Sequence, residues 1–509
     1  MSTTAPPDQP PTVDTADTAP APDSPSDAGA GLPADLTTAI DDVRSPGARR
    51  RRPLALVLVA ASLPMFMATL DNLVVTGALP VIARALRPSV EQLQWFVNAY
   101  TLAFATLMLV AASLGDRFGR RRVFVVGIAV FTLASVACAL ADTPSALIAA
   151  RAVQGAGAAA IMPLSLALIA DAVPRARRAL AIGIWGGVSG LGVALGPLVG
   201  GAVVEGMSWE AIFWINVPVA LVAVPLVFVA LRESFGRRGP IDLLGLALAG
   251  TGVFAGVWGI VRGNEDGWTS AVVLSLLVGS VLLLAAFVTW EQRLARLGGS
   301  PLVPLRLFRS RSFAVANVSG FAFSLGMFGA VFLLIQYFQI AEGLSPLEAG
   351  VRTLPWTAAP MLVAPLAGVL APRLGIRTLL VTGLTFQTLA LAWLALVSSG
   401  ATYAELVPAF VLAGVGMGLT FAPSATAVLV DMDESDNATA SSTNSTLREV
   451  GVALGVAVLV AVFQAAGGAL TPELFTRGLP AALWVGAASV ALGAVAATFL
   501  PRRTTRPTA

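Results

Sequence analysis

The chain has 509 residues, of which 56% are hydrophobic and only 12% are charged. Soluble proteins carry roughly a quarter charged residues, so this composition excludes a soluble fold and indicates an integral membrane protein. The formal net charge is +3, with no histidine and one cysteine, which excludes a disulfide framework and a thiol metal site. Proton chemistry near neutral pH would therefore have to use carboxyl groups.

The basic residues are arginines in short loops between apolar runs, and they do not form one basic face. The positive-inside rule explains this distribution, because Lys and Arg of membrane proteins collect in cytoplasmic loops. We therefore expect a lipid bilayer as the surroundings of the chain and no nucleic-acid partner.

The N-terminal segment, residues 1–52, is rich in Pro, Ala, Thr, Ser and Asp and ends in four consecutive arginines. This composition predicts a disordered tail, and the arginines place it in the cytoplasm. The apolar run that follows is too long and too far from the N-terminus for a cleavable signal peptide, so we expect it to be the first membrane span.

Long apolar runs continue to the C-terminus. They predict fourteen transmembrane helices, at about 54–79, 93–114, 123–141, 146–170, 178–201, 211–231, 243–261, 271–290, 313–338, 352–371, 377–397, 404–428, 447–466 and 479–500. With this count most arginines fall in cytoplasmic loops and both termini are cytoplasmic. The acidic, polar loop 431–446 is the exception to the charge pattern.

An internal repeat suggests how these helices are grouped. Residues 368–377, between spans 10 and 11, repeat the spacing of residues 112–122, between spans 2 and 3, with Pro372 in place of Asp116. If spans 7 and 8 are an insertion, the repeat divides the chain into two related halves. The predicted fold is an all-α integral membrane protein with two six-helix bundles, a pseudo-two-fold relation and two inserted spans. The domains are then the tail 1–52, the bundles 53–232 and 301–501, the insertion 233–300 and a cytoplasmic tail 502–509.

Two charged side chains interrupt apolar runs. Asp71 lies in span 1, ~27 Å along the helix from its cytoplasmic end at 1.5 Å per residue, and Arg151 lies in span 4 with Gln154 on the same helical face. Charges inside a span are costly and face a cavity, a partner or the bundle interior. Asp71 is either a functional acid or a neutral acid that packs, and Arg151 either lines a transport path or binds backbone carbonyls.

Span 5 carries a stripe of small residues. Gly192, Gly196 and Gly200 are four residues apart, which favours close helix contact, while Pro197 favours a kink and Gly201 extends the small-residue run. Further polar or aromatic side chains could line a cavity; these are Asn98, Tyr100, Gln336, Tyr337 and Trp356. The phenylalanines of span 9, Phe321, Phe323 and Phe328, are expected to face lipid or core. The neighbouring Arg448 and Glu449 form either a gate or a solvated helix start.

Together these motifs resemble the major facilitator superfamily, and within it the fourteen-span drug:proton antiporters. The loop after span 2, the span-1 segment 70–80, Arg151 with Gln154 and Gly155, and the span-5 segment 192–201 match family motifs in order. The chain departs from the pattern at Ala112, at Glu210 and Ala211, and at Glu449, where a glutamine is common.

The resemblance implies alternating access driven by proton entry. The span-5 motif is implied to be the antiporter kink, and the loop motif is implied to be a cytoplasmic gate. The implied gate consists of Asp116, Arg117, Gly119, Arg120, Arg121 and Asp171. In it, Asp116 would meet the start of span 11 near Arg377, and Arg117 would pair with Asp171.

Asp71, with Arg151 and Gln154, would couple proton entry to export of a small hydrophobic or cationic drug or antibiotic. The resemblance implies a bacterial plasma-membrane location and a monomer. It implies no metal, and no cofactor other than the coupling proton. A dedicated exporter or importer of one metabolite is the alternative, although the span-5 motif argues against import. A membrane enzyme would need clustered catalytic residues within the spans, and we find none in the sequence.

Overall fold

The computed structural model describes residues 53–236, 242–397, 402–432 and 436–501. Within these ranges every regular element is a helix. The predictions for the tails 1–52 and 502–509 lie outside the described residues.

The helices follow one another closely along the chain. They are α1 (Leu54–Leu86), α2 (Val90–Phe118), α3 (Arg120–Ala139), α4 (Pro144–Ala172), α5 (Arg175–Gly206), α6 (Ala211–Trp214), α7 (Asn216–Ala230), α8 (Leu243–Asp266), α9 (Ala271–Arg296), α10 (Arg311–Ile340), α11 (Pro346–Thr357), α12 (Ala359–Leu374), α13 (Ile376–Val397), α14 (Tyr403–Leu429), α15 (Asn437–Ala465) and α16 (Pro472–Ala497), with a 3₁₀ turn at Leu305–Arg309.

Twelve helical stretches of the described residues are long and apolar enough to cross a membrane, with α6–α7 and α11–α12 each forming one stretch. A further candidate is α2, which is bent by 47° between Met108 and Val110. Within α5, the segment Leu195–Gly206 is apolar but shorter than the length required of a membrane span. The chain is thus a multi-pass helical membrane protein, and the count of fourteen crossings stays a prediction.

Local sequence signals set several helix boundaries. Ser89 and Gln92 form a capping box at the start of α2, and Ser345 and Glu348 form one at the start of α11. These side chains satisfy backbone N–H groups that have no partner within the helix. Both helices begin before the predicted spans at 93 and 352, because polar capping residues lower the local hydropathy.

The two repeated loops share one backbone feature. Gly119 joins α2 to α3 with a φ of 110°, and Gly375 joins α12 to α13 with a φ of 81°. Only glycine adopts this region readily, so both tight connections depend on it. The repeat seen in the sequence is therefore also a repeat of local geometry.

The helices pack as close neighbours around the site described next. In the first part of the chain α2 and α3 pack on α4, and α1 packs on α5 and α7. In the second part α10 packs on α15 and α16, and α13 packs on α14 and α16. Contacts of α5 with α11, α2 with α15 and α1 with α10 join the two parts, while α8 and α9 pack on each other.

Candidate functional site

A buried ion pair lies at the centre of the first group of helices. The Arg151 Nη1 atom lies 2.6 Å from Asp71 Oδ2, and the two side chains are 0% and 1% exposed. The other carboxylate oxygen, Oδ1, accepts hydrogen bonds from Gln154 Nε2 at 2.9 Å and from Asn216 Nδ2 at 2.8 Å. Asp71 of α1 is thus held by α4 and α7 at once.

Arg151 is held from several sides. Its Nε donates to the Phe96 carbonyl at 3.0 Å, its Nη1 also donates to Gln154 Oε1 at 2.7 Å, and its guanidinium lies 4.3 Å from the centre of the Tyr100 ring. Its Nη2 has no hydrogen-bond partner among the described residues. The arginine therefore binds a backbone carbonyl, as one of the two interpretations expected, and it also binds the acid. Its place along a transport path stays a prediction.

Asp71, Arg151 and Gln154 stand out in the sequence, but the pairing of the acid with the arginine is seen only in the structure. Asn216 was missed by the sequence analysis, and its Nδ2 donates to Ser135 Oγ at 2.9 Å as well as to Asp71. The available signal was an amide within an apolar run, because a polar group there needs a partner.

A narrow apolar pocket is lined by residues of α1, α5, α10, α11 and α14. Its lining residues are Leu73, Pro197, Phe323, Met327, Phe328, Val331, Trp356, Thr357 and Met417. The Trp356 ring is stacked on Phe410 at 5.9 Å, and its buried Nε1 has no partner among the described residues. Ligand pockets are typically apolar and aromatic with few polar groups, and this pocket has that character.

Of the five predicted cavity residues, only Trp356 lines this pocket. Tyr100 lies under Arg151, Gln336 Nε2 donates to the Phe332 carbonyl of its own helix, and the Tyr337 hydroxyl donates to Glu342. Asn98 is fully buried, and its amide atoms have no partner among the described residues.

The expectation of a core position holds for Phe323, which is 2% exposed and belongs to the buried core, and Phe328 packs against that core. Phe323 and Phe328 also line the pocket. Apolar periodicity cannot distinguish a pocket wall from a packed core, because both bury the same side chains.

The loop between α2 and α3 forms a charged cluster. Arg120 Nε donates to Asp116 Oδ1 at 2.8 Å, and Arg120 Nη1 lies 2.6 Å from Asp171 Oδ2. This corrects the expected pair of Arg117 and Asp171, since Arg117 instead lies over the Phe118 ring. The tight turn at Gly119 brings Arg120, the first residue of α3, back onto Asp116 near the end of α2.

The same loop is bound to the segment that follows α7. The Arg120 N–H donates to the Ser234 carbonyl at 2.9 Å, and the Gly236 N–H donates to the Asp116 carbonyl at 3.1 Å. The Arg121 N–H donates to Glu233 Oε1 at 2.9 Å. Glu233 was missed by the sequence analysis, and its carboxylate packs against Gly119.

Asp116 thus contacts α3 and the segment after α7, both in the first part of the chain. The expected neighbour at the start of span 11, Arg377, donates through Nη1 to the Leu500 carbonyl at 3.5 Å in this structure.

The glycine stripe of α5 faces α1. Gly192 packs against Thr69, Gly196 against Leu73 and Gly200 against Val74. On another side of α5 Gly201 packs against the backbone of Pro346, and the carbonyl of Pro197 packs against Gly350. The small residues therefore serve two contacts, one with α1 and one with α11.

Comparison with known proteins adds an independent finding. Residues 61–456 match the family model described as Major Facilitator Superfamily. Multidrug resistance protein Stp of Mycobacterium tuberculosis is 35% identical over 431 residues, which are 84% of this chain and 79% of that protein. The methylenomycin A resistance protein of Streptomyces coelicolor is 34% identical over 424 residues, covering 82% of this chain and 87% of that protein.

Among solved structures, an auto-inhibited POT family peptide transporter is similar with a TM-score of 0.62 and 16% identity. The match covers 88% of this chain and 99% of that chain. At this identity the likeness concerns the fold.

Proposed function

The chain belongs to the major facilitator superfamily, and from this premise we propose that it exports hydrophobic drugs or antibiotics by proton-coupled alternating access. Its relatives are named for multidrug resistance and for methylenomycin A resistance. The observation that carries the proposal is the buried Asp71–Arg151 pair, whose two members lie within candidate membrane spans. The family is one of transporters, and the chain is a multi-pass protein of a bacterial plasma membrane.

The proton is the coupling ion in this proposal, and Asp71 is its carrier. Protonation neutralises Asp71 and removes the counter-charge of Arg151, which is fully buried. An unpaired buried charge costs several kcal/mol, so the surrounding helices have to rearrange when the proton arrives. A charge that crosses the membrane potential is worth about 2.3 kcal/mol per 100 mV, which supplies the drive for export.

The packing of α5 and α11 supports an inward-facing state. Gly201 and Gly350 lie against the facing backbone at one end of these helices, and Gln339 Nε2 donates to the Gly77 carbonyl at 2.7 Å. With a cytoplasmic N-terminus this closed end is the outer one. At the opposite end α12 has only Ala367 buried among its residues. We therefore propose that the pocket widens toward the cytoplasm to admit substrate.

The finer architecture belongs to the same proposal. Fourteen spans give two six-helix bundles, 53–232 and 301–501, with two inserted spans in 233–300 and both termini in the cytoplasm. The proposed working unit is a monomer without metal or cofactor, and its substrate is a small hydrophobic or cationic molecule.

A drug-sensitivity panel in a pump-deficient bacterial host tests the function. Expression should raise the tolerated concentration of several unrelated hydrophobic drugs, and a protonophore should remove the effect because it dissipates the driving force. Protection against one compound alone would favour the dedicated exporter. Protection that a protonophore leaves intact would contradict proton coupling.

A further inference from the structure

Hydrogen bonds between side chains and backbone join the two parts of the chain at the closed end of their seam. The Leu347 N–H, at the start of α11, donates to Glu205 Oε2, at the end of α5, at 3.3 Å. Gln339 Nε2, at the end of α10, donates to the Gly77 carbonyl of α1 at 2.7 Å. In each case a side chain of one part binds the backbone of the other part.

The bond to Glu205 completes the cap at the start of α11. The first N–H groups of a helix have no partner within that helix. Pro346, the first residue of α11, has no N–H, and the Glu348 N–H donates to Ser345 Oγ at 3.2 Å. The Leu347 N–H lies between them and is bound by Glu205. Helix α11 therefore receives part of its cap from α5, and the carboxylate lies at the positive end of the helix dipole.

Close packing of α5 on α11 holds Glu205 in this position. Glu205 follows Gly201 by four residues, so the two residues face the same side of α5. Gly201 packs against the backbone of Pro346, and Gly350 packs against the backbone of Pro197. A Cβ atom at either glycine would collide with the facing backbone. The bond of Glu205 therefore depends on contact between α5 and α11.

Gln339 binds the helix that carries Asp71. Its side chain is buried, and its partner Gly77 lies six residues after Asp71, or ~9 Å along α1. Gln336, one turn earlier on α10, instead donates to the Phe332 carbonyl of its own helix. Gln339 thus differs from Gln336 in reaching across the seam, and its bond breaks if α1 and α10 separate at this end.

We propose that Glu205 and Gln339 form a latch that holds the outer end closed while the substrate site faces the cytoplasm. This inference rests on the proposed alternating-access export and assigns two gating residues to it. Both bonds exist only with the outer end closed, and water replaces them on opening. A hydrogen bond exchanged for water contributes a small net free energy, so this latch favours the closed state and still allows substrate to leave.

Distances between two spin labels at the outer end test the latch. In a Cys138→Ser background, Met207→Cys follows α5 and Ala404→Cys lies at the start of α14, and both positions are exposed. Double electron–electron resonance on the purified full-length protein in lipid nanodiscs, without substrate, measures their separation. Glu205→Ala and Gln339→Met should each raise the ratio of the long-distance to the short-distance population about two- to tenfold.

The chain offers a matched control for each variant. Glu473→Ala removes an exposed acid from the first turn of α16, and Gln336→Met removes an amide that binds only its own helix in the structure. Both should keep the wild-type distances. Glu205→Gln retains an acceptor oxygen without the charge and should give an intermediate ratio. Wild-type distances in Glu205→Ala or Gln339→Met, or an equal shift in their controls, overturn the proposal.

Failure of the latch is distinguishable from failure of the proposed function. The distance measurement needs no transported drug, and exposed Glu205 can be replaced without opening a cavity in the core. A chain that gives no protection in the drug panel lacks the proposed function, whatever the distances show. A chain that protects against drugs but keeps wild-type distances in both latch variants exports without this latch.

Discussion

At the scale of single residues, the Asp71–Arg151 pair is the feature that a purely structural membrane protein would not need. Burying two charges rarely adds stability over apolar packing, because the desolvation cost offsets the attraction. Here the acid is also held by two neutral amides, Gln154 and Asn216. Both amides donate to the same carboxylate oxygen, so they fix the orientation of Asp71 between α4 and α7.

Asp71→Asn tests this role. The variant should reach the membrane but lose protonophore-sensitive efflux, because asparagine cannot take up the proton. It also leaves Arg151 unpaired at a cost of about 3–5 kcal/mol, so folding needs its own control. The double variant Asp71→Asn/Arg151→Gln removes both charges and should be more stable than the single variant yet equally inactive.

Asp142→Asn is the matched substitution, since Asp142 is exposed in the connection between α3 and α4. It should export at wild-type rates. Proton-linked efflux that survives in Asp71→Asn would contradict the assignment of the coupling proton to this acid.

The sequence identified the members of this network better than their connections. Asp71 and Arg151 stand out because charges are rare in apolar runs. Their pairing joins positions 80 residues apart, and no local pattern encodes such a distance. Asn216 is a single amide at the start of α7, and its function depends on which residues α7 meets.

At the scale of elements, the loop between α2 and α3 is a junction of three segments. Its acid, Asp116, binds Arg120, while Arg120 reaches Asp171 at the end of α4. Glu233 after α7 closes the cluster through the Arg121 N–H. Movement of any of these helices therefore has to rearrange charge-assisted hydrogen bonds, which are stronger than neutral ones.

The two arginines of this loop give a matched comparison. Arg120→Ala should slow transport strongly, because it removes both the bond to Asp116 and the ion pair with Asp171. Arg117→Ala should have a smaller effect, because the Arg117 guanidinium lies over the Phe118 ring and forms no ion pair within the part of the chain that the structure describes. Efflux rates of the two variants at equal membrane levels measure the difference. Equal rates would contradict a gating role for the cluster.

The interface of α5 and α11 provides a second comparison. Gly350 lies against the Pro197 backbone, whereas Gly368 on α12 has open space at its side-chain position. Gly350→Ala should hinder closure and lower efflux, while Gly368→Ala should be active and slightly more stable, because alanine favours a helix by about 1 kcal/mol. The melting temperature and the efflux rate of both variants test this. Full activity of Gly350→Ala would show that this contact does not limit closure.

Helix existence followed from the sequence, but several boundaries did not, since α11, α15 and α16 begin six, ten and seven residues before the predicted spans at 352, 447 and 479. The polar loop predicted at 431–446 contains the start of α15 at Asn437. Its Ser, Thr and Asn residues lower the local hydropathy, yet Asn444 Nδ2 donates to Asn317 Oδ1 on α10 at 3.1 Å. Apolar periodicity underestimates a helix whose polar face is satisfied by a neighbouring helix.

At the scale of the whole molecule, the two parts of the chain meet through few helices. Contacts of α5 with α11, α1 with α10 and α2 with α15 join them, and the pocket lies between them. A binding site at such a seam is exposed to alternate sides when the parts rock against each other. Helices α8 and α9 pack on each other, and α8 also packs on α2 and α15, one helix from each part.

Membrane topology tests the architecture as a whole. With fourteen spans, residue Thr269 between α8 and α9 lies outside the cell and Thr504 lies in the cytoplasm. In a Cys138→Ser background, an impermeant maleimide added to intact cells should label Thr269→Cys, which is exposed in the structure, but should label Thr504→Cys only after lysis. The positive-inside rule is the physical reason, because Arg502 and Arg503 retain the C-terminus in the cytoplasm. External labelling of Thr504→Cys would require an odd number of crossings or an inverted protein. Labelling of Thr269→Cys distinguishes these two cases. An inverted protein would protect Thr269→Cys from the external maleimide. A protein that gains or loses one span after α9 would still be labelled there.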